Sequence, residues 1–211
     1  MSKATDRRTA ATRAALIESA ETLFARHGVD GISLRQIATA SGSANTNVVA
    51  YHFGSKQALV EAVIHHRLPA IEARRAELLA ALPQETPAAL CDVLWRPFLE
   101  QTDEEGRHTY AAFLAGLFRS NQLAVRAAMS GDFPVTQALL DRIGSALPKG
   151  SAELMIQRLA VVTLLVTGVL QVIDENRLGP LEADARFADA IAMSAAALCA
   201  PSPSQSGNQP P

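Results

Sequence analysis

Cysteine and charge are both scarce in this chain, and its uninterrupted apolar runs are short. The only cysteines, Cys91 and Cys199, match no metal-binding or redox spacing, so we interpret them as reduced thiols of a cytoplasmic protein. The amino terminus lacks the apolar stretch of a secretory signal. The strongly apolar run 160–173 falls short of the roughly 20 residues that a membrane span needs, which predicts a buried helix.

Charged residues make up only 19% of the chain, and the net charge of −2 does not by itself indicate a nucleic-acid partner. The charge is nevertheless uneven. Up to Lys56 there are seven Lys and Arg against four Asp and Glu, a balance of +3. The remainder carries 12 against 17, a balance of −5, and the two parts add up to −2. A mildly basic head on an acidic body is typical of a protein that contacts DNA through its head alone.

The hydrophobic pattern predicts an all-α protein, because no segment alternates in the way that a strand does and none is repeated. Helical periodicity predicts a first helix over 14–28 and a long helix from Ser55 to about Leu82, in which Pro69 should cause a kink or a break. Further helices are predicted over 86–98, 108–119, 122–129, 135–147, 151–176 and 181–199.

Residues 33–56 carry the most specific pattern of the chain. Ser33 and Gln36 have the spacing of a capping box, and Gly42 suits the left-handed residue that ends a helix. The apolar residues that follow predict a second short helix, with the polar run 45–47 at its exposed amino-terminal end. Two short helices in this arrangement are a helix-turn-helix, whose second helix contacts base edges in the major groove.

These residues resemble the amino-terminal domain of the TetR family of bacterial regulators over about 9–66. The family's fourth helix starts at a Phe-x-Ser-Lys-x-x-Leu signature, which is similar to Phe53-Gly-Ser-Lys-Gln-Ala-Leu59 here. Two features depart from the family pattern. The interval from Gly42 to Phe53 is one residue longer than in most members, and Ala50 replaces a frequent Tyr. The resemblance implies an amino-terminal three-helix helix-turn-helix domain and a carboxy-terminal helical domain for ligand binding and dimerisation.

The head offers two kinds of DNA contact. Asparagine can pair with adenine and a threonine methyl group can meet thymine, whereas cationic and aromatic side chains suit the phosphate backbone. Asn45 is interpreted equally well as a helix cap. Alternatives also exist for Arg35, as a solvated charge, and for Tyr51 and His52, as packing residues. The predicted DNA-binding residues are Ser33, Arg35, Asn45, Thr46, Asn47, Tyr51, His52 and Lys56.

The segment 151–176 is apolar on nearly every face, which predicts that one side packs on its own domain and another on a second copy. The alternative is a core that surrounds this helix completely. The resemblance implies a four-helix dimer interface made with the last helix, and a dimer in turn implies a near-palindromic operator. The predicted interface residues are Leu159, Val162, Val166, Val169, Phe187, Ile191 and Leu198.

Most of the aromatic residues lie in the middle of the chain, where the resemblance implies a pocket for a small-molecule inducer. Apolar walls with few polar groups suit a largely apolar ligand, although the same residues also suit an ordinary core. The predicted ligand-binding residues are Trp95, Phe98, His108, Tyr110, Phe113 and Phe118.

The prediction is therefore a cytoplasmic, homodimeric DNA-binding regulator with no cofactor, catalytic residue, metal site or membrane contact. The resemblance to the family implies that it is a repressor. It divides the chain into a flexible basic terminus (1–8), a helix-turn-helix domain (9–55), a connecting helix (56–82), a ligand-binding and dimerisation domain (83–200) and a disordered tail (201–211). A ligand-independent DNA-binding protein is the main alternative. An enzyme and a helix-turn-helix used for protein contact are the others, and no nucleophile elbow or phosphate loop supports the enzyme.

Overall fold

The computed structural model describes residues 3–119 and 133–201, and these ranges contain helices and turns but no strand, which confirms the all-α prediction. The predicted helix 122–129 and all but the first residue of the predicted tail lie outside the described residues. The α-helices are α1 (Lys3–His27), α2 (Leu34–Ala40), α3 (Val48–Phe53), α4 (Lys56–Ala80), α5 (Pro87–Glu100), α6 (Thr109–Arg119), α7 (Pro134–Ala146), α8 (Met155–Asn176) and α9 (Pro180–Cys199). A 3₁₀ turn, Ala152–Leu154, precedes α8.

The described residues form two compact units. The first comprises 3–69 and 109–119, and the second comprises 70–108 and 133–201. The chain therefore passes from one unit to the other inside α4 and again just before α6. The functional ranges that the sequence predicted divide the chain differently and stay predictions.

In the first unit, α1 packs on α2 and α6, and α2 packs on α3. Apolar side chains of these helices and of the first part of α4 form the core, including the stacked rings of Phe24 and Phe113, whose centroids are 6.0 Å apart. The buried apolar residues of α1 recur at helical spacing: Leu16, Ile17, Ala20 and Phe24. This core holds the helix-turn-helix.

Helix α1 begins at Lys3, well before the predicted start at residue 14. Residues 3–8, which were predicted to be a flexible terminus, form the first turns of this helix. Neither glycine nor proline interrupts the segment, and the Thr12 hydroxyl donates to the Arg8 carbonyl at 2.9 Å. Good helix formers therefore extend the helix beyond the apolar stripe, where periodicity gives no signal.

Helix α4 continues through Pro69, so the predicted break does not occur. The proline is exposed, and side-chain bonds hold the helix before and after it. Arg67 pairs with Glu21 in the first unit. In the second unit, the Glu72 carboxylate accepts the Val135 N–H at 2.8 Å, at the start of α7. One lost hydrogen bond is insufficient to end a helix that is fixed on both sides.

In the second unit, α9 packs on α8 and α5, and α5 packs on α7. Helix α5 begins as predicted, because the Thr86 hydroxyl accepts the Ala89 N–H at 3.2 Å and Pro87 occupies the first turn. The guanidinium of Arg96 lies 4.8 Å from the ring centroid of the buried Phe187 and pairs with Asp92 and Asp184. This cluster ties α5 to α9.

Helix α8 buries only one of its sides. Val162, Val166 and Leu170 face the core of the unit, whereas Val161 and Val172 are exposed. Within the described residues, the stretch Ala152–Asn176 is the one that is long and apolar enough to cross a membrane by composition, which is weak support for a span. The buried side belongs to the core of the unit, and the exposed side is left uncovered by the described residues.

Candidate nucleic-acid interface

Helix α2 starts at the predicted capping box. The Gln36 N–H donates to Ser33 Oγ at 3.3 Å, and Gln36 Oε1 accepts the Ser33 N–H at 2.8 Å. The Ser33 hydroxyl also donates to the same Oε1 at 2.7 Å. Ser33 was predicted to contact DNA, but its polar atoms are used to start α2, which is the helix that supports the turn.

Helix α3 is short and presents polar residues at its amino-terminal end. Val48 and Val49 are buried and seat the helix, while Thr46 and Asn47 are exposed just before it. Asn47 is the N-cap residue, but its side chain makes no capping hydrogen bond. The side chains of Thr46 and Asn47 therefore lie where a recognition helix presents donors and acceptors to base edges.

The Asn45 side chain makes a hydrogen bond with the backbone of the turn. Its Oδ1 accepts the Asn47 N–H at 3.0 Å, so the carbonyl end of the side chain shapes the backbone before α3. This contact differs from a conventional N-cap, and the predicted base contact of Asn45 stays a prediction. Sequence inspection missed Ser43, whose hydroxyl bonds with Asn45. The two-residue spacing of Ser43, Asn45 and Asn47 is the signal that indicates such local turns.

Tyr51 is the most exposed aromatic residue of the interface, with 83% of its surface accessible. Its ring meets the half-buried His52 ring edge-on, with centroids 5.1 Å apart. The Arg13 guanidinium lies 4.9 Å from the ring centroid of Phe53, so α1 braces the end of α3. Tyr51 is thus available to a ligand outside the unit, and His52 supports it.

Helix α4 begins beside this surface. The Ser55 hydroxyl accepts the Ala58 N–H at 3.0 Å, and Lys56 occupies the first turn of the helix. Arg35 is exposed on α2. Ammonium and guanidinium groups near a helix start suit phosphate oxygens, so both positions are compatible with the predicted backbone contacts.

This geometry agrees with a comparison to known families. Residues 16–63 match the model of the bacterial regulatory proteins of the tetR family. These residues are similar to the DNA-binding domain of that family. The exposed end of α3 and the start of α4 lie within the matched residues, in the helix-turn-helix of that domain.

Solved structures extend the likeness to the rest of the chain. A structure described as a tetR-family transcription regulator from Shewanella sp. PV-4 has a TM-score of 0.61 at 22% identity, covering 86% of this chain and 97% of that one. A TetR-family regulator from Rhodococcus sp. has a TM-score of 0.54 at 18% identity, covering 87% and 98%. At these identities the likeness shows the shared fold. No curated protein matches the chain.

Of the seven predicted dimer residues, Leu159 and Val169 are partly exposed. The other five are buried within this chain: Val162, Val166, Phe187, Ile191 and Leu198. Burial makes those five less accessible to a partner, and the predicted interface stays a prediction. Because the segment is apolar all round, periodicity could not indicate which side of α8 faces outward.

The predicted ligand-binding residues are mostly well-packed core. Trp95, Phe98 and His108 belong to the second unit, whereas Tyr110, Phe113 and Phe118 belong to the first. All but the half-buried Phe118 are buried. The His108 ring is held by Asp174 Oδ1 at 2.5 Å and by the Leu99 carbonyl at 3.1 Å. The interpretation of these residues as core therefore accounts for their contacts.

Proposed function

We propose that this protein is a homodimeric repressor that binds a near-palindromic DNA operator and leaves it when a small, largely apolar ligand binds. The observation that carries the DNA-binding part is the exposed run of Thr46, Asn47 and Tyr51 on a TetR-family helix-turn-helix. Lys56 and Arg35 flank that run and would supply the phosphate contacts.

A selection experiment tests the DNA-binding part. The purified protein is incubated with a pool of random-sequence duplexes, and the retained fragments are sequenced. We expect enrichment of a motif with two related halves, spaced by helical turns of DNA. Footprinting on the DNA upstream of the protein's own gene would then locate an operator. Retention of no preferred sequence would refute this part of the proposal.

The dimer is supported by the apolar side of α8 that its own unit leaves uncovered. Val161 is 65% and Leu164 is 36% exposed there, and Val172 continues the same side one turn or more along the helix. Gly168 lies between them, with open space where a Cβ would be. Helix α9 adds an exposed stripe that lets a second helix approach closely: Leu181, Ala185, Ala188, Ala192 and Ala196. An isologous interface would cover both the exposed side of α8 and the exposed stripe of α9.

Sedimentation tests whether the dimer forms through the exposed side of α8 or through the buried residues that the sequence predicted. Val161→Lys and Leu164→Lys place charges on the exposed side of α8, so each should convert a dimer to a folded monomer at micromolar concentration. Ala138→Lys, on the exposed side of α7, is the matched control and should leave the dimer intact. Wild-type protein that sediments as a monomer would exclude the interface.

Release by a ligand rests on the resemblance to the family rather than on an identified cavity. A thermal-shift screen of small apolar compounds against the purified dimer is the direct test, followed by operator binding in the presence of each hit. A compound that both stabilises the protein and releases the operator supports induction, because coupling requires different affinities for the two states. Hits that leave operator binding unchanged favour the ligand-independent alternative.

A further inference from the structure

The turn between α2 and α3 begins with a complete helix-ending motif. Gly42 adopts a left-handed backbone with φ of 75°, and its N–H donates to the Thr39 carbonyl at 3.1 Å. The Ser43 N–H donates to the Ala38 carbonyl, also at 3.1 Å. This pair of bonds is a Schellman motif, which fixes the position of Ser43 relative to α2.

From that fixed point, side chains continue the connection toward α3. Ser43 Oγ accepts the Asn45 N–H at 3.2 Å and lies 3.2 Å from the Asn45 carbonyl, to which it donates. Asn45 Oδ1 then accepts the Asn47 N–H at 3.0 Å, and the Asn45 carbonyl accepts the Val48 N–H at 3.2 Å. A continuous series of hydrogen bonds therefore runs from the last turn of α2 to the first turn of α3.

The start of α3 depends on this series because the helix has little else to hold it. It is six residues long, and Asn47 at its N-cap makes no side-chain capping bond. Burial of Val48 and Val49 holds one side of the helix but does not set the backbone direction of the exposed residues before it.

We propose that Ser43 and Asn45 are positioning residues for DNA reading. They set the backbone from which Thr46 and Asn47 extend, and Asn45 does so through Oδ1 instead of reading a base. This inference rests on the proposed DNA-binding function. It also accounts for the longer interval between Gly42 and Phe53, since an added residue needs its own hydrogen bonds to keep a single conformation.

The first experiment uses the free protein and is independent of DNA. Amide hydrogen exchange of the Asn47 N–H is measured by NMR in wild type, Asn45→Ala and Asn45→Asp. Loss of one hydrogen bond should speed exchange about fivefold to tenfold in the alanine variant. The aspartate variant keeps an Oδ acceptor and should restore protection. Equal protection in wild type and Asn45→Ala would overturn the proposed contact.

The second experiment measures base preference on a duplex that the wild-type protein selects from a random pool. Asn47→Ala should relax preference at one base pair by about tenfold or less. If Asn45 acts through Asn47, Asn45→Ala relaxes the same base pair, and the double variant adds little to either single change. Asn45→Asp should retain the preference, because its extra charge weakens all sequences alike.

Other outcomes separate this inference from the proposed function. Additive effects at two different base pairs would make Asn45 a base reader and overturn the positioning role. Enrichment of no sequence by the wild-type protein would overturn the proposed function and the DNA-reading role together, whereas the exchange experiment would still decide the turn itself.

Ser43→Ala and Ser43→Thr form a second pair, in which threonine keeps the hydroxyl and should behave like wild type. Thermal unfolding of each variant checks that the domain remains folded.

Discussion

The Thr109 hydroxyl donates to Glu21 Oε1 at 2.6 Å, inside the first unit. The same carboxylate accepts two N–H groups from Arg67, at 2.7 and 2.8 Å. Glu21 is on α1, Arg67 on α4 and Thr109 at the start of α6, so one buried carboxylate connects three helices. The hydrogen bond with Glu21 raises the pKa of Arg67, whereas partial burial of the guanidinium acts to lower it.

Removal of one partner from this buried cluster should destabilise the protein strongly. Arg67→Ala leaves the Glu21 charge with only the Thr109 hydroxyl, and we expect a loss of about 3 kcal/mol in the free energy of unfolding, measured by urea denaturation. Glu182→Ala is the control, because Glu182 and Arg186 are exposed and 3.6 Å apart; it should cost less than about 1 kcal/mol. Similar losses in the two variants would contradict the role of the buried cluster.

Local sequence patterns predicted the parts of the head that depend on neighbouring residues. The capping box of Ser33 and Gln36 and the left-handed Gly42 follow from spacing and residue type alone, and both are confirmed. The cluster of Glu21, Arg67 and Thr109 could not be found in this way. Its members are far apart along the chain, and only the packing of three helices brings them together.

The outward side of α8 was beyond prediction for a different reason. Leu164 and Val166 are equally apolar, so composition cannot tell the exposed residue from the buried one. At Asn45 the residue type is compatible with a base contact, a cap and a turn. The outcome depends on which backbone N–H lies within reach, and that is a property of the folded turn.

Asp103 should make stability depend on pH in the acid range. Burial opposes ionisation of its carboxylate, but the backbone N–H groups of Arg107 and Glu105 and the Arg107 guanidinium outweigh it and lower the pKa of Asp103. A lowered folded-state pKa contributes stability above the unfolded value of about 4, and this is lost as pH falls through the folded value.

Asp103→Asn removes that titration. The variant should be less stable than wild type by about 1 kcal/mol near neutral pH. The difference in the free energy of unfolding should shrink as the pH is lowered below about 4. Urea denaturation of both proteins at a series of pH values measures this difference. A difference that stays constant down to the acid limit would contradict the assignment of the titration to Asp103.

Cys91 should be unreactive in the folded protein. Burial, with smaller contributions from Cys199 and Asp92, raises the pKa of the Cys91 thiol to about 12, so almost no thiolate exists at neutral pH. In a Cys199→Ala variant, which leaves Cys91 as the only thiol, reaction with a colorimetric disulfide reagent should be limited by unfolding and should accelerate in urea. Rapid reaction without denaturant would show that Cys91 is accessible.

Lys56 should contribute to DNA affinity through a phosphate rather than a base. Its position in the first turn of α4 combines an ammonium with the positive end of the helix dipole, which favours an anion. Lys56→Ala should weaken binding to all sequences alike and reduce the slope of log affinity against log salt by about one per subunit. Lys149→Ala, an exposed lysine of the second unit, is the matched control and should leave the slope unchanged. Titrations of a selected duplex and a scrambled one, at several salt concentrations, measure the affinity and its salt dependence. If Lys56→Ala keeps the wild-type slope, or weakens only the selected duplex, Lys56 does not bind a phosphate.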